Sequence, residues 1–527
     1  MANPWLTSDD LIASIQRKIA FPISQNTFSN DDILAFVNEE MYISQVPSVL
    51  TYHEEFFVTY EVVPLTTGIN RYPIPNRAIG MRLRDIKWQD NAGNMFDMTR
   101  VSPDDKAFFQ RNIGANQAVH KYYVEGNDIV LLPAVTADPT GQFVMSFYIR
   151  PNQLVTNDQA AIIQYFSQDI TVNSSVMNPG DVFNIQLVQT VSVLPAVGNP
   201  PYQSYLPGSY EVYTTPIATL TAVPSSSVSI TSITSPQTGT VQITADNHYL
   251  TLGQTVVISG SDSTPSIDGT YQVINIVDND NFQIAATITG NGSSGSFTSP
   301  NQFLIDSGSS VTTTSNFVIA LNALTGIINN ATNGNSSTDV AHIQYSNVSY
   351  SFTTNNSKAF SIPTLNTNGI VTGTQGIDFV SIPSGVYANG NLIDFLQTNP
   401  GHRIFNWDIP IVSISGNTIY FNAVDIPVPN AYNGIGLSVG DYICPANEAI
   451  IPQLPPDLHN SLAERAAARI LASLGDQQGL QNSLQKIQEM NQQQGTLLDD
   501  RVEGTPQKIT ARHSLLRYNK MGVRRRV

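Results

Sequence analysis

The residues that could do chemistry are few, and they are scattered. Seven histidines stand at positions 53, 120, 248, 342, 402, 459 and 513, with no pair at metal-ligand spacing. No glycine-rich phosphate loop precedes a lysine, and neither a Gly-x-Ser-x-Gly elbow nor a His-Glu-x-x-His helix occurs. Asp278-Asn279-Asp280-Asn281 looks at first like a calcium loop, but it lacks the glycine and distal glutamate of an EF-hand and reads as a hairpin turn. Glu54 and Glu55 are adjacent in a predicted strand, which puts their carboxylates on opposite faces and argues against a shared acid-base pair. Asp408 beside Trp407 would suit a carbohydrate cleft, yet a core tryptophan near a turn is the simpler reading. The lone Cys444 excludes an internal disulfide framework and a cysteine-only zinc site, and is expected to be a small buried side chain. No cofactor is expected.

Charge is the one strong pattern. The 527 residues hold 25 Lys and Arg against 41 Asp and Glu, a net charge of -16, which argues against broad binding to nucleic acid or anionic membranes. Between residues 151 and 450 the basic side chains are Lys358 and Arg403 alone. The C-terminal end reverses this sign: Arg501, Lys508, Arg512, Arg517, Lys520, Arg524, Arg525 and Arg526 face the single acid Glu503. Such a tail can be a solvated terminus, or an arm that docks into an acidic partner or lies near packaged DNA. The interleaved Ser514, Leu515, Leu516 and Tyr518 are anchors that a purely electrostatic arm does not need, and they favour partner docking.

The elements around these residues fall into three regimes. Near the N-terminus, Thr7-Ser8-Asp9-Asp10 caps a helix carrying Leu11, Ile12, Ile15 and Ile19, and Ser29 with Asp32 forms a capping box for a second helix that Pro47 ends. From Phe56 the period becomes two, with strands expected over 56–63, 81–88, 122–125, 128–132 and 143–148. After about Asn152 the chain turns to Val, Ile, Thr, Ser, Asn and Gly, as in β-sandwich or small-barrel modules. One such module runs from about 222 to 299, with strands at 241–244, 255–260, 269–274 and 281–284. Linker-like Ser225-Ser226-Ser227 and Gly290-Asn291-Gly292-Ser293-Ser294-Gly295 flank it.

Helix returns after Pro455-Pro456. Asp457 is the expected cap, and Leu458, Leu462, Ala466, Ile470 and Leu474 mark one apolar face that Gly475 terminates. Asp476 starts a second helix bearing Leu480, Leu484, Ile487 and Met490, and the Gly-Asp corner predicts that the two fold back on each other. No signal peptide is evident, and no apolar run approaches the ~18 residues of a membrane span.

The ends of the chain resemble the head-to-tail connector (adaptor) proteins of tailed bacteriophages. Carrying the resemblance are Val439-Gly440-Asp441-Tyr442-Ile443, Ile451 to His459, Ala466 to Asp476, Arg501-Val502-Glu503-Gly504 and Ser514-Leu515-Leu516-Arg517, with Phe28 to Leu34 at the other end. The matches span the first 150 and last 90 residues, roughly.

The resemblance implies a helical core packed side by side in a ring of twelve copies, beneath the portal protein and completing the DNA exit channel in the virion neck. By position, Leu458, Leu462, Ala466, Ile470, Leu474, Leu480, Leu484 and Ile487 would build the ring wall. Arg501, Lys508, Arg512, Leu515, Leu516, Arg517, Tyr518, Arg524, Arg525 and Arg526 would make the portal contact. Tail tube, nozzle or fibre proteins are the implied partners on the other side, with synthesis in the host cytoplasm and no membrane association. The β-rich middle exceeds what a minimal adaptor needs, and would either decorate the outside or extend the ring.

The expected fold class is thus α+β and multidomain, a helical core from both chain ends around a large β-sandwich or β-barrel middle. Expected boundaries are 1–155, 156–221, 222–300, 301–455, 456–500 and a basic arm at 501–527. A tail fibre, spike or other receptor-binding protein is the alternative suggested by the Ser, Thr, Asn and Gly-rich middle, against which the helical C-terminal end counts. A glycosidase or peptidase would need carboxylates brought together from distant positions.

Overall fold

A computed structural model describes the chain except residues 1–5, 20–27, 66–67, 90–94, 106–120, 133–141, 190–210, 213–215, 225–226, 334–338, 347–349, 363–372, 399–402, 427–436 and 499–527. The fold is mixed and strand-rich, and it divides into two compact units. One comprises residues 1–10 and 59–453; the other comprises 11–58 and 454–527.

The smaller unit is helical. Ser29 accepts the Asp32 amide while Asp32 accepts the Ser29 amide, the reciprocal cap expected for the Asn30–Glu40 helix. Pro47 does not end this run. A π-helical turn, Met41–Gln45, intervenes, and a further helix, Val46–Tyr52, begins with Pro47 in its first turn. Proline's missing amide is tolerated there because the first amides of a helix have no partner within it. Glu54 and Glu55 then lie in a 3₁₀ turn, Glu54–Phe57, and not in a strand.

The C-terminal part of this unit is the helix His459–Leu474 and the helix Gln477–Leu498, packed on each other. Asp457 is not the cap expected of it, because it sits inside a 3₁₀ turn, Pro456–Leu458, that leads into the helix. Gly475, at φ 76°, closes the first helix in the left-handed region, and the Asp476 carboxylate accepts the Gly479 amide at the start of the second. Leu11, Ile15, Leu34, Val37, Met41 and Val49 are buried in this unit, as are Leu462, Ala466 and Ile470.

In the larger unit, two four-stranded sheets come first and share one core. Ile86, Trp88, Phe143 and Phe147 from one pack with Tyr72, Ile129 and Leu131 from the other. A ten-stranded and a five-stranded sheet follow. Their core takes Phe166, Ile343, Ile377 and Phe395 from the first sheet and Phe183 and Phe352 from the second, with Phe317 of the helix Ser310–Asn322. Residues 156–221 and 301–455 therefore share a core instead of forming separate domains. Fully burying each such phenylalanine contributes about 1.5–3 kcal/mol.

The module between 222 and 300 has its own core of Ile233, Val241, Ile243, Val256, Phe282 and Phe297. Its seven strands close on themselves, because the adjacent strands Val228–Ser229 and Ser232–Gln237 pair with Ser296–Thr298 and Thr240–Thr244 respectively. The stretch Gly290 to Gly295 is part of this barrel and not a linker. Gly292 exchanges backbone hydrogen bonds with Ile233, and a Cβ there would lie 2.5 Å from the Asp262 carboxylate. Ser225 and Ser226 lie outside the described residues. The module leaves the host sheet from the strand Ala218–Val223 and returns as the strand Gln302–Leu304, which pairs parallel with it. Among the described residues no helix is long and apolar enough to cross a membrane.

Candidate functional site

The larger unit gathers ionisable side chains at two places that no sequence motif announces. The first lies on the ten-stranded sheet. Pairing sets Asp169 of the strand Ala161–Val172 opposite His342 of Val340–Tyr345, and Asp378 of Thr374–Phe379 opposite Thr418. Nδ1 of His342 is 2.7 Å from Asp169 Oδ1, and its Nε2 is 3.1 Å from Asp378 Oδ2. Ser167 and Thr418 donate to the other Asp378 oxygen at 2.9 and 2.7 Å, and Tyr420 and Gln344 donate to Asp169 and Asp378.

Gly376 makes this convergence possible. A Cβ there would stand 2.5 Å from Ser167 Oγ and 3.0 Å from Thr418 Cγ2. With a carboxylate on each ring nitrogen, His342 is held as the imidazolium. Burial pushes its pKa down, but the hydrogen bonds to Asp169 and Asp378 outweigh this and raise it to about 9. For Asp378, burial pushes upward and the His342 and Thr418 bonds win, leaving it below the ordinary carboxylate range. An imidazolium with both nitrogens engaged has no lone pair to offer as a general base. The cluster ties four strands together.

The second place is centred on Asp394, which is fully buried. Arg77 Nη2 donates to Asp394 Oδ1 at 2.7 Å and to Asp408 Oδ1 at 2.8 Å, while Arg77 Nη1 donates to Asn152 at 3.0 Å. Asn152 closes the ring by donating to Asp394 Oδ2 at 2.6 Å. Two backbone amides, of Asp408 and Asn447, also point at this carboxylate, at 3.1 and 3.0 Å. Both residues adopt left-handed backbone, φ 57° and 71°. Trp407 packs edge-on against Phe147, so the Trp407-Asp408 pair belongs to a core and an ion pair. Cys444 is buried, and burial pushes its thiol pKa well up.

The helical unit has a smaller version of the same arrangement. Glu464, 1% exposed, takes Lys18 at 2.7 Å and Ser483 at 2.9 Å, with Lys486 at 3.6 Å. Glu40 pairs with Arg469, whose other nitrogen reaches Glu39 at 2.7 Å. Of the expected wall residues, Leu458, Leu462, Ala466, Ile470 and Ile487 are buried and Leu480 is half-buried. Leu474 and Leu484 are exposed, at 42% and 51%. Leu474 is the last residue of its helix, and the inner stripe of the next helix runs Leu480, Ser483, Ile487, Met490, leaving Leu484 to one side. The expected arm, Arg501 to Arg526, lies outside the described residues.

Sequence spacing missed Arg77, Asp169, His342, Asp378 and Asp394. A signal for two of them was present. Ile377-Asp378-Phe379 and Ile393-Asp394-Phe395 each set a carboxylate inside an apolar strand, where it must find a partner. Among the described residues no three His, Cys, Asp or Glu side chains are grouped to hold a metal ion.

No family model matches the chain, and no curated protein matches it. Among solved structures it is similar to the Phage phi92 endosialidase, at 15% identity and a TM-score of 0.16, over 46% of this chain and 30% of that one. A likeness that slight carries no argument about fold or activity.

Proposed function

We propose that this chain is a structural subunit of a tailed-phage neck, a head-to-tail adaptor without enzymatic activity. Copies of its helical unit form the wall of a ring between portal and tail, and the basic C-terminal arm docks on the portal. One observation carries the reading. Two of the stretches that carry the adaptor resemblance, Phe28 to Leu34 and Ala466 to Asp476, fall in one helical unit, where Glu40 pairs with Arg469 across 429 residues of chain. The greater part of the β-rich unit is then an excursion of the chain between Val58 and Leu454. Three of the buried carboxylates support a chain without enzymatic activity. Asp378, Asp394 and Glu464 each engage a cation within their own unit, which leaves them poorly placed for proton transfer.

The test is reconstitution of the full chain with purified portal rings, followed by electron microscopy and mass measurement. A ring of defined symmetry seated on the portal is expected. Removal of Lys508 to Val527 should abolish seating while leaving the thermal unfolding of the protein unchanged. Unchanged seating would remove the arm from the proposal. A free trimer that binds glycan and ignores the portal would replace it with a receptor-binding role.

A further inference from the structure

His248 stands where the inserted barrel meets its host. It is 2% exposed, in the turn after the strand Thr240–Thr244, and its ring packs edge-on against Phe282 of the barrel core at 5.2 Å. Its Nε2 lies 2.9 Å from the Asp278 carbonyl oxygen, which can only accept, so Nε2 carries a proton. Its Nδ1 lies 2.9 Å from the Leu250 amide nitrogen, which can only donate, so Nδ1 carries none. Backbone geometry alone therefore fixes a neutral imidazole in one tautomer. A second proton would set N–H against N–H at Nδ1.

The turn that this ring organises also seats the barrel. The His248 carbonyl accepts Gln302 Nε2 at 2.9 Å, from the strand by which the chain re-enters the host sheet. Tyr249, at φ 50°, lays its ring against Gly180 of the host so closely that a Cβ on Gly180 would be 3.3 Å from it. We infer that His248 is an acid-sensitive latch: protonation of its ring releases the 246–250 turn, and with it the seating of the barrel on the host sheet.

The charged groups around the ring are Asp278 and Asp280 on the turn packed against it, Asp246 on its own turn, and Asp181 beside Gly180 on the host. No Lys or Arg occurs between residues 222 and 300. Burial moves the pKa below the ordinary histidine value, and it outweighs the opposing pull of Asp278 and Asp280. The latch is thus closed at neutral pH and opens only below the ordinary histidine range.

Spin labels on Val257→Cys in the barrel and Val176→Cys in the host, both exposed positions in a chain whose native cysteine is buried, report the seating in the full-length protein. The expected result is one narrow distance near pH 7.5, a broad distribution near about pH 5, and recovery on neutralisation. Protection of the Leu250 amide against hydrogen exchange should fall about tenfold or more in acid, with Ile243 and Phe282 still protected inside the barrel. In His248→Asn the side-chain oxygen can accept the Leu250 amide at every pH, and the distance should stay narrow throughout. A narrow distance in the parent at both pH values, or equal broadening in His248→Asn, overturns the latch. So does loss of Ile243 and Phe282 protection ahead of the distance change. Should His248→Asn fail to fold, the ring titration of His248 followed by NMR in the parent must share its midpoint with the distance change. Separate midpoints reject the proposal.

Discussion

Arg77 and Asp394, 317 residues apart in the chain, meet at 2.7 Å with neither side chain more than 5% exposed. Their meeting follows from composition. A stretch of 300 residues with Lys358 and Arg403 as its basic side chains cannot neutralise its buried carboxylates with local lysine or arginine. Asp394 takes an arginine from the turn before the strand Ala78–Gln89, and Asp378 takes a histidine. Removing one partner of a buried pair leaves the other charge uncompensated, at about 3–5 kcal/mol. Arg77→Met is expected to lower stability by that order in denaturant titration. Arg77→Lys should recover little of it, because one ammonium cannot serve Asp394, Asp408 and Asn152 in the same plane.

The His342 cluster predicts a stability that falls in alkali. Its folded pKa, about 9, exceeds the ordinary value of 6.5, so the folded state holds the proton more tightly. The stabilisation is complete below about pH 6.5 and is lost as the pH rises through 9, by up to about 3 kcal/mol. Melting temperatures of the parent should decline across that window. His342→Gln should be less stable at neutral pH and flatter over the same range.

Gly376→Ala tests the steric side of the same cluster. With no positive φ at this position, the cost is contact alone, against Ser167 Oγ and Thr418 Cγ2. A loss of about 1–3 kcal/mol is expected from overpacking. Adding Ser167→Ala, which removes the nearest atom, should cost less in the Gly376→Ala background than in the parent, and a double-mutant cycle reads that difference.

In the helical unit the sign of the pH effect is opposite. Burial raises the Glu464 pKa, but the bonds from Lys18 and Ser483 lower it further, and the net value lies below the ordinary 4.5. Its contribution is present above that ordinary value and lost as the pH falls through the folded one. Lys18→Met should destabilise the unit by about 2–4 kcal/mol at neutral pH, with Lys486 retaining part of the compensation. The loss should shrink in acid, as chemical denaturation at several pH values will show.

The capping box at Ser29, the stop at Gly475 and the barrel strands were legible because each depends on a few neighbouring residues. The helix Ser310–Asn322 was not. Its opening Ser-Val-Thr-Thr-Thr favours a strand by propensity, and it is helical because Phe317 and Leu321 reach a core built from distant strands. Thr313 and Thr314 return their hydroxyls to the Ser309 and Ser310 carbonyls, which keeps them satisfied in a buried helix face. Pro47 misled for a related reason, since a π turn ahead of it supplies a fresh start that no local pattern reveals. The ionic sites were hidden because spacing rules look for partners nearby, and these partners are joined by sheet register.

The barrel should be separable. Residues 227–299 expressed alone are expected to unfold cooperatively, because their buried side chains contact one another across closed strands. The host with residues 224–300 replaced by a short Gly-Ser linker should keep its own melting transition. A non-cooperative isolated barrel would show that the host supplies part of its stability.

The parallel pairing of Ala218–Val223 with Gln302–Leu304 also decides how a force on the barrel is met. Both tethers enter the same hydrogen-bonded ladder, Val223 beside Leu304 and Thr221 beside Gln302. Because the strands are parallel, the chain leaves at Val223 and re-enters at Gln302, at opposite ends of the ladder, so a pull on the Val223 tether along its strand loads those bonds in shear. The barrel is fastened to its host like a lap joint, and a tug on it is passed into the whole sheet.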